Sequence, residues 1–276
     1  MRLNINVNKA LNMCNYKPII TNSCDTILTY DKVFIKSIFN EPFSSDKNTN
    51  IIMSLLSGLI YKHKDNSVLN NTCISWGLTS DNYTIYNIQD KLVFGVFIIN
   101  KTIIIVFKGS SNIHDFLADI DFGDYSSPDD NILGEVHRGM HNILYSKMDG
   151  GELRCDVITD IISEYSDNYN IFLTGHSLGA GLATIFYQHL KNSVKNNIKI
   201  ITFGSPRVGN KLFRNNIEES TRFVHKNDIV TKLPLNIMDY YHIPKKVHLN
   251  NESSFWKLKW WSIDDHKIDH YFLALL

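Results

Sequence analysis

Apolar residues along this chain recur in two rhythms that trade places from one stretch to the next. In NIIMSLLSGLIYKH, residues 50–63, they return at near-helical spacing, which predicts a helix. Two denser runs follow, KLVFGVFIIN and TIIIVFKGS, rich in β-branched and aromatic residues and parted by a turn-like Asn100-Lys101. They predict a hairpin or adjacent strands. GELRCDVITDIISEYSDN sets Leu153, Val157, Ile161 and Tyr165 four apart, one face of an amphipathic helix. A strand at NIFLTG, a helix from Leu178 towards Leu190, a strand at IKIITFGSP and a strand-like TRFV complete the series. Such alternation predicts an α/β protein, a three-layer sandwich around a mostly parallel central sheet. No repeat, Pro/Ser-rich linker or charge block interrupts it. Residues 1–276 therefore read as one domain whose Asn-rich opening, residues 1–50, is a weakly patterned lead-in.

Composition narrows what such a domain does. The 28 basic residues balance 28 acidic ones, and no basic block supplies the footprint that phosphate backbones require, which excludes nucleic acid as a partner. The opening MRLNINVNKALNMCNYKP breaks off before an apolar stretch of signal-peptide length develops. No run reaches the ~18 apolar residues of a membrane span. These features predict an intracellular chain without a transmembrane segment. Cys14, Cys24, Cys73 and Cys155 lack CxxC spacing, which argues for reduced, structural thiols rather than a zinc or redox site. His225, His242 and His248 have no ligand spacing either, so neither metal nor cofactor is expected.

Where NIFLTG gives way to helix, the chain reads Gly175-His176-Ser177-Leu178-Gly179, the form G-x-S-x-G. A tight strand-to-helix turn forces its central residue into a strained conformation, and the flanking glycines let the chain pass. The turn lifts the Ser177 hydroxyl above the sheet edge. The helix that follows aims unpaired N–H groups at developing negative charge, which makes the Leu178 N–H an oxyanion donor.

The segments IIIVFKGSSNIHDFLADI, GEVHRGMHNIL, IFLTGHSLGAGLATIF, ITFGSPRVGN, RFVHKNDIVTKLP, YYHIPKKVHL and WSIDDHKIDHYF, in this order, resemble the class 3 lipase family of the α/β-hydrolase fold, which includes the fungal triacylglycerol lipases. The family pattern usually has Arg where Lys108 stands and a bulky aromatic where Met140 stands. The resemblance implies a serine carboxylic-ester hydrolase acting on lipid esters. In it Ser177 is the nucleophile, Asp228 the acid, His266 the base, and Ser110 joins Leu178 as oxyanion donor. His270 is the alternative base, fitting a shorter spacing. His176 and His137 read as packing or hydrogen-bonding residues beside the site.

Two further stretches bear on contact with a lipid–water interface. In NIHDFLADIDF, residues 112–122, Ile113, Phe116, Leu117 and Ile120 form the apolar side of a short helix, with Asp115 and Asp119 opposite. In fungal relatives a helix here acts as a lid; a fixed surface helix is the other reading. In FWKLKWWSIDD, Trp256, Leu258 and Trp260 alternate with Lys257 and Lys259. That pattern suits either packing of the His266 loop or an interfacial surface.

Overall fold

Strand β3, Thr102–Phe107, is buried at every position, and the other layers are arranged on either side of it. The structure, a computed structural model, describes residues 24–43, 46–112, 124–126, 132–165, 167–249 and 262–276. Within these, β1 (Tyr83–Ile88) and β2 (Leu92–Ile99) pair antiparallel with one another, and β2 pairs antiparallel with β3. From β3 onward the sheet is parallel through β6 (Asn170–His176), β7 (Ile198–Phe203), β8 (Ser220–His225) and β9 (Lys246–Leu249). The seven strands run in the order β1-β2-β3-β6-β7-β8-β9. A small separate sheet joins β4 (Asp124–Ser126) to β5 (Glu135–His137). The expected hairpin forms at Asn100-Lys101, both residues at positive φ of 46° and 56°, the conformation whose twist suits a two-residue connection.

Alternation along the strands divides the core in two. Ile104 and Val106 of β3, with Ile201 and Phe203 of β7, face one cluster, which is covered by α1 (Asp25–Thr29), α2 (Lys32–Asn40), α3 (Asp46–Leu59), α4 (Asn66–Ser75) and α9 (Ile268–Leu275). Ile103, Ile105 and Phe107, with Ile171, Leu173, Ile198 and Ile200, face the other. This second face is covered by α5 (Arg138–Tyr145), α6 (Arg154–Ser163) and α7 (Leu178–Ser193), with α8 (Lys211–Asn215) contributing Phe213. The described part of the lead-in thus helps cover one face of the sheet. The Asp269 carboxylate of α9 accepts the Thr26 and Ile27 N–H groups at 3.0 and 3.1 Å, fastening α1 to the end of the chain.

The buried stripe of α6 differs from the expected one. Leu153, Val157, Ile161 and Tyr165 are half-exposed, while Cys155, Ile158 and Ile162 are buried. Leu153 is the residue before the helix, so the helix presents a neighbouring face to the sheet. Cys24, Cys73 and Cys155 are buried and are not joined to one another in disulfides; Cys14 lies outside the described residues.

Helix α7 crosses the sheet on small residues. A Cβ on Gly179 would sit 2.1 Å from the Phe107 carbonyl oxygen, and one on Gly175 2.5 Å from Gly179 itself, so neither position has space for a side chain. The obstacle at Gly179 is backbone, which cannot rotate away. Gly179→Ala is expected to cost about 3 kcal/mol by overpacking, read as a drop of roughly 10 °C in Tm. Gly150→Ala, where nothing lies within 4 Å, should change stability by less than about 0.5 kcal/mol.

Candidate active site

The turn between β6 and α7 holds Ser177 at φ 60° and ψ −129°, a positive-φ conformation that non-glycine residues rarely adopt. Its N–H donates to the Phe203 carbonyl at 3.1 Å, and its own carbonyl accepts from Ala180 and Gly181, so the strained residue is pinned from both sides. Leu178 opens the helix, and its N–H has no acceptor within it. The loop after β3 runs against the same turn: a Cβ on Gly109 would come within 2.5 Å of the His176 carbonyl and 3.3 Å of Ser177 Cβ. Ser110 therefore borders the serine. Its hydroxyl donates to the Asn112 carbonyl at 2.8 Å and accepts the Asn112 N–H at 3.3 Å, which folds the loop back on itself. Lys108 folds its ammonium onto the Gly109 carbonyl and Ser111 Oγ and over the Tyr61 ring, stiffening this loop.

Asp228 and His266 meet because their loops pair. Ile229 donates to the Ser262 carbonyl and Ser262 to that of Asn227, a one-rung parallel bridge beyond the end of β8. The turn Asp264–His266 then brings His266 Nδ1 to 2.8 Å from Asp228 Oδ2. Both side chains are fully buried. The carboxylate also accepts the Val230 N–H on Oδ1 at 2.8 Å and the Tyr271 hydroxyl on Oδ2 at 2.5 Å. Since a carboxylate only accepts, His266 carries its proton on Nδ1 and presents a lone pair on Nε2. Nε2 and Ser177 Oγ are both buried and without a hydrogen-bond partner. His270, the alternative base, lies on α9 with its ring 5.6 Å from that of His225; the carboxylate's imidazole partner is His266.

A second histidine supports the first. His176 Nε2 lies 2.6 Å from the His266 carbonyl and so donates to it, while Nδ1 accepts from the Tyr61 hydroxyl at 3.0 Å. The two imidazole rings are 4.4 Å apart. Burial, then the neighbouring His266, holds His176 well below its ordinary pKa, so it is neutral. Burial and the Asp228 charge push Tyr271 well above the usual range, so its proton stays on the hydroxyl. Tyr61, and the hydroxyl contact of Tyr271, are the site features that sequence reading missed. Tyr61 and His176 are 115 residues apart, and no local pattern links them. His137 accepts the Gly139 N–H and caps α5, in keeping with the structural role expected of it. The helix expected over residues 112–122, from residue 113 to its end, and the Trp256–Trp260 stretch lie outside the described residues.

Residues 104–238 match the family model for Lipase (class 3). The lipase of Rhizomucor miehei is 30% identical over 164 residues, 55% of this chain and 43% of that protein. The secreted mono- and diacylglycerol lipases A of Penicillium cyclopium and Penicillium camembertii are 31% identical over 151 residues, 52% of this chain and 47% of theirs. The stretch that matches the family model, just under half of the chain, resembles the class 3 lipase family. The chain spans less than half the length of these relatives. The structure described as "A serine protease triad forms the catalytic centre of a triacylglycerol lipase" superposes with a TM-score of 0.64 at 23% identity, covering 81% of this chain and 93% of that one, a likeness of fold. The α/β sandwich with a mostly parallel sheet is thus the fold of that solved lipase.

The intracellular placement expected from the N-terminus is corrected here, because the Penicillium relatives are named as secreted. That expectation rested on the want of an apolar run at the first residues, which does not fix a destination. No helix among the described residues is long and apolar enough to cross a membrane.

Two deeply buried imidazoles make stability depend on pH. His176 and His242 are both held well below the ordinary value of 6.5 by burial. Below pH 6.5 the unfolded chain binds more protons than the folded one, so stability is complete above that value and falls as pH drops beneath it. Each group contributes up to about 1.4 kcal/mol per pH unit. Urea denaturation is expected to show about 3 kcal/mol less stability at pH 5.5 than at 7.5; a flat profile would mean these rings accept protons in place.

Proposed function

We propose that this chain is a serine carboxylic-ester hydrolase acting on lipid esters, an acylglycerol lipase, and that residues 1–276 work as one α/β-hydrolase domain. The observation that carries the reading is the arrangement around His266. Its Nδ1 is tied to Asp228 at 2.8 Å, while its Nε2 and the Ser177 hydroxyl are buried and uncommitted. A serine hydroxyl is a weak nucleophile at neutral pH and needs a base whose tautomer is fixed. Here Ser177 attacks the ester carbonyl, His266 takes its proton and passes it to the leaving alcohol, and Asp228 stabilises the imidazolium between those steps. The N–H groups of Ser110 and Leu178 receive the oxyanion. A water activated by His266 then releases the fatty acid from the acyl-enzyme. Ser177 is fully buried, so the substrate enters only after the groups covering it move aside. Contact with a lipid–water interface is a natural trigger for that movement. The names of the Penicillium relatives, mono- and diacylglycerol lipases, support acylglycerols as the substrate class.

A fluorophosphonate probe tests the reading directly, because it phosphonylates only an activated serine. We expect one adduct, on Ser177, absent from Ser177→Ala. Folded, unreactive protein would favour a lipase-like binding module instead. Assayed on di- and triacylglycerol, phosphatidylcholine and p-nitrophenyl esters, His266→Ala should fall by roughly 10⁴ or more and Asp228→Asn by about 10⁴. Turnover retained in His266→Ala would move the base elsewhere. Preference for phosphatidylcholine would make the chain a phospholipase, and preference for short esters an esterase.

A further inference from the structure

His225, Asp265 and His270 come from separate parts of the chain and were expected to hold no metal. His225 ends β8, Asp265 lies in the turn that carries His266, and His270 is on α9. The fold brings one ring nitrogen from each histidine and a carboxylate oxygen of Asp265 within 4.8 Å of one another. We infer that these three side chains form a site for a divalent transition-metal ion of the zinc class.

Each ligand is prepared for this role. His225 Nδ1 lies 3.0 Å from the Asp265 backbone carbonyl, to which it can only donate, and its lone pair is therefore on Nε2. A ring N–H given to a backbone carbonyl is the usual support of a metal-bound histidine, fixing tautomer and orientation. Burial holds His225 below its ordinary pKa, so the ring is neutral. The Asp265 carboxylate is oriented by the Asn227 N–H on Oδ2, and its backbone N–H is held by Ser262 Oγ. His270 Nδ1 is buried with no hydrogen-bond partner. Leaving such a nitrogen unpaired costs free energy, which a metal ion would recover.

Two imidazoles and one carboxylate suit zinc and its neighbours rather than calcium or magnesium, which take mostly oxygen ligands. Metal–ligand distances of ~2.0–2.1 Å put tetrahedral donors ~3.3 Å apart. The atoms need to close by at most ~1.5 Å, within the reach of side-chain rotation at His270 and Asp265, both half-exposed. The other group of this type among the described residues, Cys155, Asp156 and His189, is less suited, because its thiol, on α6, and its imidazole, on α7, are both buried where those helices pack and cannot swing toward an ion. Bound at the first site, an ion would link β8, the His266 turn and α9. The inference rests on these contacts alone and stands whether or not the chain hydrolyses esters.

The test uses full-length, tag-free protein freed of metal with EDTA. Titration with ZnCl2 in a calorimeter should give one tight equivalent, and saturating ZnCl2 should raise Tm by several degrees. CoCl2 should give the visible d–d absorption of a low-coordinate ion. His270→Gln and Asp265→Asn, both at half-exposed positions, should each weaken zinc binding by ~10-fold or more while the metal-free proteins keep the wild-type Tm to within a few degrees. His189→Gln should leave binding unchanged. No heat of binding, or binding that survives His270→Gln and Asp265→Asn, overturns the site. Loss of binding in His189→Gln alone would assign the ion to the other group.

Discussion

A carboxylate withdrawn entirely from water must be satisfied by its surroundings, and at Asp228 that requirement organises one end of the molecule. An unpaired buried charge costs several kcal/mol. Here three donors meet it: the Val230 N–H, the His266 Nδ1–H and the Tyr271 hydroxyl. They belong to the loop after β8, to the turn before α9 and to α9 itself. Satisfying one anion therefore sets the path of two loops and the seating of the last helix. It also decides which nitrogen of His266 carries the proton, the electronic condition for general-base chemistry. Removing the carboxylate would loosen the architecture and misdirect the base together.

The serine is fixed by a different constraint that the same sheet imposes. Its strained backbone is held by Phe203 from β7 and by the first turn of α7, and Gly175, Gly179 and Gly109 allow three backbone segments to converge where side chains would collide. Because β6, β7 and β8 are parallel, Ser177, Gly204 and Asp228 all emerge at the same edge. A Cβ on Gly204 would stand 2.9 Å from Asp228 Oδ2 and 3.0 Å from the His266 ring, so its lack of a side chain is part of how carboxylate and imidazole fit there. Tyr61 and His176 add a support from α3's face of the sheet. They hold the His266 backbone as Asp228 holds its ring.

What could be read from the sequence follows the range of the interactions. The strands and the turn at Ser177 are local, written in β-branched runs and in two glycines at fixed offsets, and they were legible. Asp228 and His266 are 38 residues apart, and they were located by the class 3 lipase resemblance rather than by any pattern of their own. The choice of His266 over His270 rested on motif spacing, and the structure sets His266 against the carboxylate. Tyr61, 115 residues from the ring it supports, left no trace in the sequence pattern. The face of α6 was misjudged because a stripe of half-buried residues at fourfold spacing looks the same as a buried one until the neighbouring layer is present. The cellular setting was misread because it was taken from an apolar count at the N-terminus, whereas the relatives that bear on it are named as secreted.

The account turns on the proton between His266 and Asp228, and nuclear magnetic resonance reads it. In protein with ¹⁵N-labelled histidine, His266 should be the Nδ1–H tautomer, its proton shifted downfield by a short hydrogen bond and slow to exchange. That resonance should persist in Ser177→Ala and vanish in Asp228→Asn. A His266 ring protonated on Nε2 alone, or a signal indifferent to Asp228→Asn, would contradict it.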